Sequence, residues 1–147
     1  MMPQDANIAG NVFGGTLLKM VDEIAYVTGT KHARTNIVTA SLDKMTFLSP
    51  VHVGDFVTVK AKVNAVWRSS MEIGVRVEAE DPRIGGSRHT GSSYVTLVAL
   101  DQDGRPSEVP ELILEGPDDE RRNREACGRR ARRLEEKAAD KTPLPGE

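Results

Sequence analysis

Between Gly14 and Thr30 the apolar positions Leu17, Val21, Ile24 and Thr28 recur at three- and four-residue steps, flanked by Leu18, Met20 and Ala25. That spacing puts one broad stripe on the face of a helix. Gly29 and Lys31-His32 suit the helix C-terminus. Downstream the period falls to two. Asn36–Leu48 reads as a strand closed by Ser49-Pro50, and Val53-Gly54-Asp55 turns the chain. Val57, Val59, Ala61, Val63, Ala65 and Trp67 then alternate with Thr58, Lys60, Lys62 and Asn64. After Arg68-Ser69-Ser70, the residues Met71, Ile73, Val75, Val77 and Ala79 alternate with Glu72, Arg76, Glu78 and Glu80. Each run predicts a strand with one core face and one solvated face, and together they predict a long hairpin.

Asp81–Gly91 is a glycine-rich loop carrying Pro82, Arg83, Arg88 and His89. Ser92–Leu100 is a further strand, closed by the turn signal Asp101-Gln102-Asp103-Gly104. Pro106 and Pro110 keep the next segment extended, and Gly116-Pro117 marks a boundary. One folding unit is therefore expected over 1–115, and a charged helix and tail over 116–147. Asp118–Lys137 is dense in Arg and Glu with no wide apolar stripe, which predicts an exposed, partly disordered helix. The residues after Asp140 read as a tail. One helix against about four antiparallel strands is an α+β layer solution, and pairing sheet edges in a dimer would cover them.

Composition narrows the classes. With 147 residues the chain is one ordinary domain, and a net charge of −2 gives no field for nucleic acid or an anionic membrane. The single Cys127 makes no intrachain disulfide or multi-cysteine metal site. No apolar run approaches a membrane span and no secretory leader is visible, so a cytoplasmic protein without membrane association is expected.

The helix holds two adjacent carboxylates on opposite flanks of the stripe. Glu23 follows Lys19 by four residues, a surface ion-pair spacing. Asp22 shares its flank with Leu18, Ala25 and Gly29, which leaves space beside its carboxylate and favours it for chemistry. The bland reading of Asp22 is a solvated helix carboxylate. Gly14 and Gly15 stand where the chain enters the helix, where free N–H groups suit an anion or simply make a turn. Asn7 and Asn11 precede the helix, where Asn caps and turns are common; Asn11 is the better placed to cap. Thr39, on a strand expected to face the helix, can assist a bound water or merely pack. The histidines His32, His52 and His89 lack ligand spacing, and there is no nucleophile-elbow serine, so no metal or covalent serine is expected. Interleaved Glu makes the Arg-rich segment a solvated helix or subunit contact rather than a polyanion site.

Four separated motifs, in order, carry a family likeness. Asp5-Ala6-Asn7-Ile8-Ala9-Gly10-Asn11-Val12-Phe13-Gly14-Gly15 resembles the N-terminal motif of the hotdog-fold acyl-CoA hydrolases, of the cytosolic long-chain type. Met45-Thr46-Phe47-Leu48-Ser49-Pro50-Val51-His52-Val53-Gly54-Asp55 resembles their second motif. Trp67-Arg68-Ser69-Ser70 and Val98-Ala99-Leu100-Asp101 with Gly104 also match. The likeness runs from about Pro3 to Leu112. Relatives usually carry a short strand before the segment matching Pro3-Gln4-Asp5, whereas this sequence starts at Met1-Met2.

The resemblance implies a hotdog fold and acyl-CoA thioester hydrolysis at a dimer interface, often in trimers of dimers. It implies that Asp22 of one subunit and Asn7 of the other share each active site, with the Gly14 N–H receiving the oxyanion. Asp22 would activate water or attack directly as a nucleophile; both stay open. Basic groups are expected for the CoA phosphates: Arg68, Ser69 and Ser70 by family match, and Arg88 and Arg83 in the flexible loop. CoA enters as part of the substrate, and no separate cofactor is implied. Two other readings remain: a non-catalytic acyl-CoA-binding regulator, and a hotdog hydratase or dehydratase. The latter looks to use an Asp–His pair, and no His follows Asp22 suitably.

Overall fold

The computed structural model describes residues 1–140; the tail expected after Asp140 lies outside them. A 3-10 turn over Pro3–Asp5 leads into α1 (Gly14–Ala33). Four strands follow: β1 (Asn36–Leu42), β2 (Phe56–Val66), β3 (Ser70–Glu80) and β4 (Ser87–Leu100). The helix α2 (Pro117–Asp140) ends the described chain. The strands form one antiparallel sheet in the order β1-β4-β3-β2. This is the expected hotdog arrangement, a long helix held against an antiparallel sheet.

Leu17, Val21, Ala25, Gly29 and Ala33, spaced by four, are the buried line of α1. They pack on the inner sheet face formed by Met71, Ile73, Val75, Val77, Val95, Leu97 and Ala99. Gly29 is therefore neither the helix end nor open space, as its sequence position suggested. A Cβ there would meet Leu97 Cδ1 at 2.5 Å and Ile37 Cδ1 at 2.9 Å. Close packing of helix on sheet selects the glycine. The helix instead ends at Ala33, with Arg34 left-handed at φ 56° and its N–H donated to the Thr30 carbonyl.

Three expectations fail for identifiable reasons. The first strand stops at Leu42: Asp43 N–H still donates to the Tyr94 carbonyl, but residues 44–50 run on beside β4 as irregular chain and bond to it again where Leu48 N–H donates to the Thr90 carbonyl. Residues Arg88 and His89 belong to β4, which starts at Ser87, and not to a flexible loop. In β2 a bulge between Val63 and Ala65 inverts the alternation. Beyond it Ala65 pairs opposite Glu72 and Val66 opposite Met71. So Val66, not Ala65 or Trp67, continues the core face.

The largest departure is α2, which lies on the outer face of the sheet instead of standing in solvent. Glu72 is 0% exposed and Asn64 is 4% exposed, although alternation assigns both to the wet side. The Arg129 guanidinium donates to both Glu72 oxygens (2.7 to 3.2 Å), and Arg133 Nη1 donates to Glu72 at 3.2 Å. Asn64 Nδ2 donates to Glu72 at 3.1 Å. Arg129 also lies 3.6 Å from the Tyr94 ring centroid and Arg130 4.5 Å from that of Trp67. A second ion pair, Lys62 with Asp119, closes the other end of the helix. Polar side chains thus dock α2, which is why no apolar stripe announces it.

Candidate active site

Asp22 sits at mid-helix, half-buried, on a flank where Leu18 and Tyr26 lie one turn away on either side and stay exposed. The carboxylate faces the edge strand β1. There the Thr39 hydroxyl donates to Asp22 Oδ1 at 2.7 Å. Thr39 stands opposite Leu97, just before a register shift between Thr39 and Ser41. The bond occupies one carboxylate oxygen and leaves Oδ2 without a partner among the described residues. Glu23, by contrast, pairs loosely with Lys19 at 3.9 Å on the exposed side. The two acids have the separate environments that the helical wheel implied.

The loop before α1 is a tight hairpin. Asn7 N–H donates to the Asn11 carbonyl (2.8 Å), Gly10 N–H to the Asn7 carbonyl (3.0 Å), and Ala6 bridges Val12. Asn7 Oδ1 accepts the N–H groups of Ala9 (2.9 Å) and Asn11 (3.3 Å). The side-chain carbonyl thereby shapes the turn, while the amide NH2 is exposed and has no partner among the described residues. Within the chain, Asn7 makes no bond to Asp22. Asn11 does not cap the helix: the N-cap is Phe13, and Asn11 Oδ1 meets His52 Nδ1 at 3.0 Å.

At the start of α1 no side chain caps the helix and no acid occupies the first turn. The N–H groups of Gly14 and Gly15 lack partners among the described residues, so the positive end of the helix dipole is available to an oxyanion. A Cβ on Gly14 would meet the Phe47 ring at 3.2 Å. Phe47 therefore walls this N-terminus, a role that nothing in the periodicity marked; only its place in the second motif hinted at it.

The residues expected to hold CoA phosphates divide. Arg68 is exposed at the β2–β3 connection, where its backbone carbonyl accepts from Val109. Ser69 is anchored through its carbonyl to Ala99 N–H, and Ser70 Oγ accepts from Arg130 Nη1 at 3.3 Å. Ser70 opens on a groove of about 990 Å³ between α2 and the outer sheet face, shared with Trp67, Tyr94, Arg130 and Arg133. Arg83 pairs with Asp81 in its own turn at 3.0 Å. Arg88 is committed elsewhere: it donates to Ser49 Oγ (3.0 Å), the Pro50 carbonyl (2.9 Å) and Asp55 Oδ2 (2.6 Å).

Two buried carboxylates are shifted. For Glu72, burial pulls the carboxyl upward, but hydrogen bonds from Arg129, Asn64 and Arg133 outweigh it and hold the group below the ordinary glutamate value. For Asp55, burial again acts upward, and the His52 N–H with Arg88 brings the net shift below the ordinary aspartate value. Both remain ionised at neutral pH.

The thioesterase superfamily model matches residues 9–85. The chain is 37% identical to the mouse cytosolic acyl coenzyme A thioester hydrolase over 130 residues, which is 86% of this chain. It spans about a third (34%) of that protein's length. An acyl-CoA hydrolase structure from Bacillus cereus superposes with a TM-score of 0.91 at 35% identity, covering 96% of this chain and 86% of the other. An apo-hexameric acyl-CoA thioesterase gives 0.89 at 36% identity, covering 94% and 88%. The Staphylococcus aureus acyl-CoA hydrolase, solved with butyryl coenzyme A and coenzyme A, gives 0.84 at 38% identity, covering 95% and 87%. That enzyme has also been solved with one Asn, one Asp or one Thr changed to Ala, in the same order and at the same separations as Asn7, Asp22 and Thr39.

Proposed function

Because the chain belongs to the thioesterase superfamily, among the acyl-CoA thioester hydrolases, we propose that it hydrolyses acyl-CoA to free CoA and a carboxylic acid. The observation that carries this reading is the Thr39–Asp22 hydrogen bond. It fixes a half-buried carboxylate at mid-helix, on a face flanked by exposed apolar side chains.

Each step has a residue. Asp22 Oδ2 takes a proton from a water, and the hydroxide attacks the thioester carbonyl. The oxyanion forms against the Gly14 N–H of the second protomer, because within one chain Gly14 lies eight residues, about 12 Å, along α1 from Asp22; there the helix dipole stabilises it. Collapse breaks the C–S bond and expels the CoA thiolate, which takes up a proton. Thr39 holds the carboxylate in place and keeps its second oxygen directed at water. No metal or separate cofactor enters this sequence, and CoA arrives with the substrate.

Asn7 cannot serve its own chain's Asp22 from the hairpin it occupies, yet its amide is exposed and free to donate. A second copy of the chain supplies the completion: Asn7 of each protomer orients water or the carbonyl at the other's Asp22. Leu18 and Tyr26 are exposed beside Asp22 and Phe47 is exposed by the α1 N-terminus, and burying them in a dimer forms an apolar slot for the acyl chain beside α1. The hexameric assembly named for one similar enzyme supports a trimer of dimers. Arg68, Ser69 and Ser70 remain the groups assigned to the CoA phosphates on motif likeness. The word cytosolic in the mouse protein's name, with no helix among the described residues long and apolar enough to cross a membrane, supports a cytoplasmic site of action.

The test is thiol release from a panel of acyl-CoA chain lengths by the full chain. Turnover that saturates with acyl-CoA and disappears in Asp22→Asn supports the proposal. Tight acyl-CoA binding with no thiol released makes the protein a non-catalytic acyl-CoA sensor instead.

A further inference from the structure

Arg88 was expected to meet a CoA phosphate, but its geometry serves another purpose. Asp55 is 4% exposed. Its Oδ2 accepts from the Arg88 guanidinium (2.6 Å) and from the His52 backbone N–H (2.8 Å), while Arg88 reaches back to Ser49 Oγ and the Pro50 carbonyl. Together these bonds close the turn Pro50–Asp55 into a rigid block. The catalytic hairpin hangs from that block at two points. The Val51 carbonyl accepts Val12 N–H at 2.8 Å, and the His52 ring meets Asn11 Oδ1 at 3.0 Å. Across the hairpin, Asn11 in turn holds both the N–H and the Oδ1 of Asn7.

We propose that Arg88 and Asp55 are a positioning pair that fixes the hairpin carrying Asn7, and so acts on the neighbouring protomer's active site. The inference rests on the thioesterase reading above. Arg88 touches no reacting atom in this scheme. It sets the direction of the one catalytic side chain that must reach across a subunit boundary, and a displacement of about 1 Å at such a group is enough to cost up to ~10²-fold in rate.

A phosphate-binding arginine and a positioning arginine make different predictions, and two substrates separate them. Acyl-CoA and the same acyl group on pantetheine share the thioester and differ by the nucleotide phosphates. For Arg88→Ala we expect kcat to fall about 10- to 100-fold on both substrates with KM little changed. The loss should shrink to near nothing when Asn7 is already Ala, because the two residues act through one group. Arg88→Lys, which keeps the charge but not the forked donors, should recover only part of the rate. Loss confined to acyl-CoA and to KM would overturn the proposal, as would a full loss persisting in the Asn7→Ala background.

Hydrogen exchange gives a readout independent of catalysis. The amides of Asn7, Gly10 and Val12 should exchange faster in Arg88→Ala, while those of the β3–β4 ladder keep wild-type protection. Unchanged exchange in the hairpin overturns the proposal. Should Arg88→Ala fail to fold, Ser49→Ala removes a single bond of the block and is read by the same measurements. If the wild type shows no thioesterase activity, the functional reading falls while exchange still decides whether the pair holds the hairpin.

Discussion

The Thr39 hydroxyl donates to Asp22 Oδ1 across 2.7 Å, joining an edge strand to the middle of α1. A carboxylate tied on one oxygen is oriented without being neutralised. Asp22→Asn should therefore lower kcat by about 10²-fold or more, the scale of a lost general base. Thr39→Ala should lower kcat less, about tenfold, and Thr39→Ser should retain most of the rate because it keeps the donor. Steady-state thiol release with matched KM values checks all three.

Shared active sites predict complementation. Asn7→Ala and Asp22→Asn homo-oligomers should each be about 10²-fold slower than wild type. Mixing the two after dissociation and reassembly should restore activity, since some dimers then contain one site with both residues intact. Activity of the mixture no greater than that of its parts would mean that each site takes Asn7 and Asp22 from the same chain, against the shared arrangement.

Glu72 anchors α2, and removing it leaves Arg129 without its ion-pair partner, while Arg133 keeps only the half-buried Asp43 at 3.0 Å. Glu72→Ala should cost about 3–5 kcal/mol in chemical denaturation. The pH dependence follows from the same contacts. The Glu72 carboxyl is lowered in the folded protein from an ordinary value of 4.5. Its stabilising contribution is therefore complete above about pH 4.5 and is lost as pH falls below it, when the carboxylate takes up a proton. Acid titration of the denaturation midpoint should show this decline in the wild type, and a shallower one in Glu72→Gln.

Gly29→Ala tests the seat of α1. Helix propensity alone returns up to about 1 kcal/mol, but the added methyl collides with buried Leu97 and Ile37. Overpacking of this kind costs about 1–3 kcal/mol. The net result should be a lower Tm, with a fall in kcat if α1 shifts Asp22 away from Thr39.

Periodicity was sufficient for α1 and for the β2–β3 hairpin, because burial of one face imposes a spacing that side chains cannot disguise. It separated Asp22 from Glu23 for the same reason. The role proposed for Asn7 rests on motif likeness, since a turn asparagine looks alike wherever it occurs; for Gly14 the helix start added only that free N–H groups there suit an anion. What escaped was set by tertiary contacts. Glu72 reads as solvated because alternation records only which face a residue takes, and not whether a second layer covers that face. Arg88 reads as a loop cation because its acceptors, Ser49, Pro50 and Asp55, lie more than thirty residues away in sequence. The bulge at Asn64 breaks a pattern that otherwise runs cleanly, and no turn residue there announces it.

The cluster around Glu72 also bears on how the strands choose their partners. Met71 and Ile73 face one layer and Glu72 the other, each fully buried. Sliding β3 by one residue would push a carboxylate into the apolar layer beneath α1 and turn two large hydrocarbons toward Arg129 and Arg133. Sheets with one wet face are penalised on one side only for such a slip. This one is penalised on both, so the ion cluster acts as a proofreading device for strand alignment during folding as well as a fastening for the last helix.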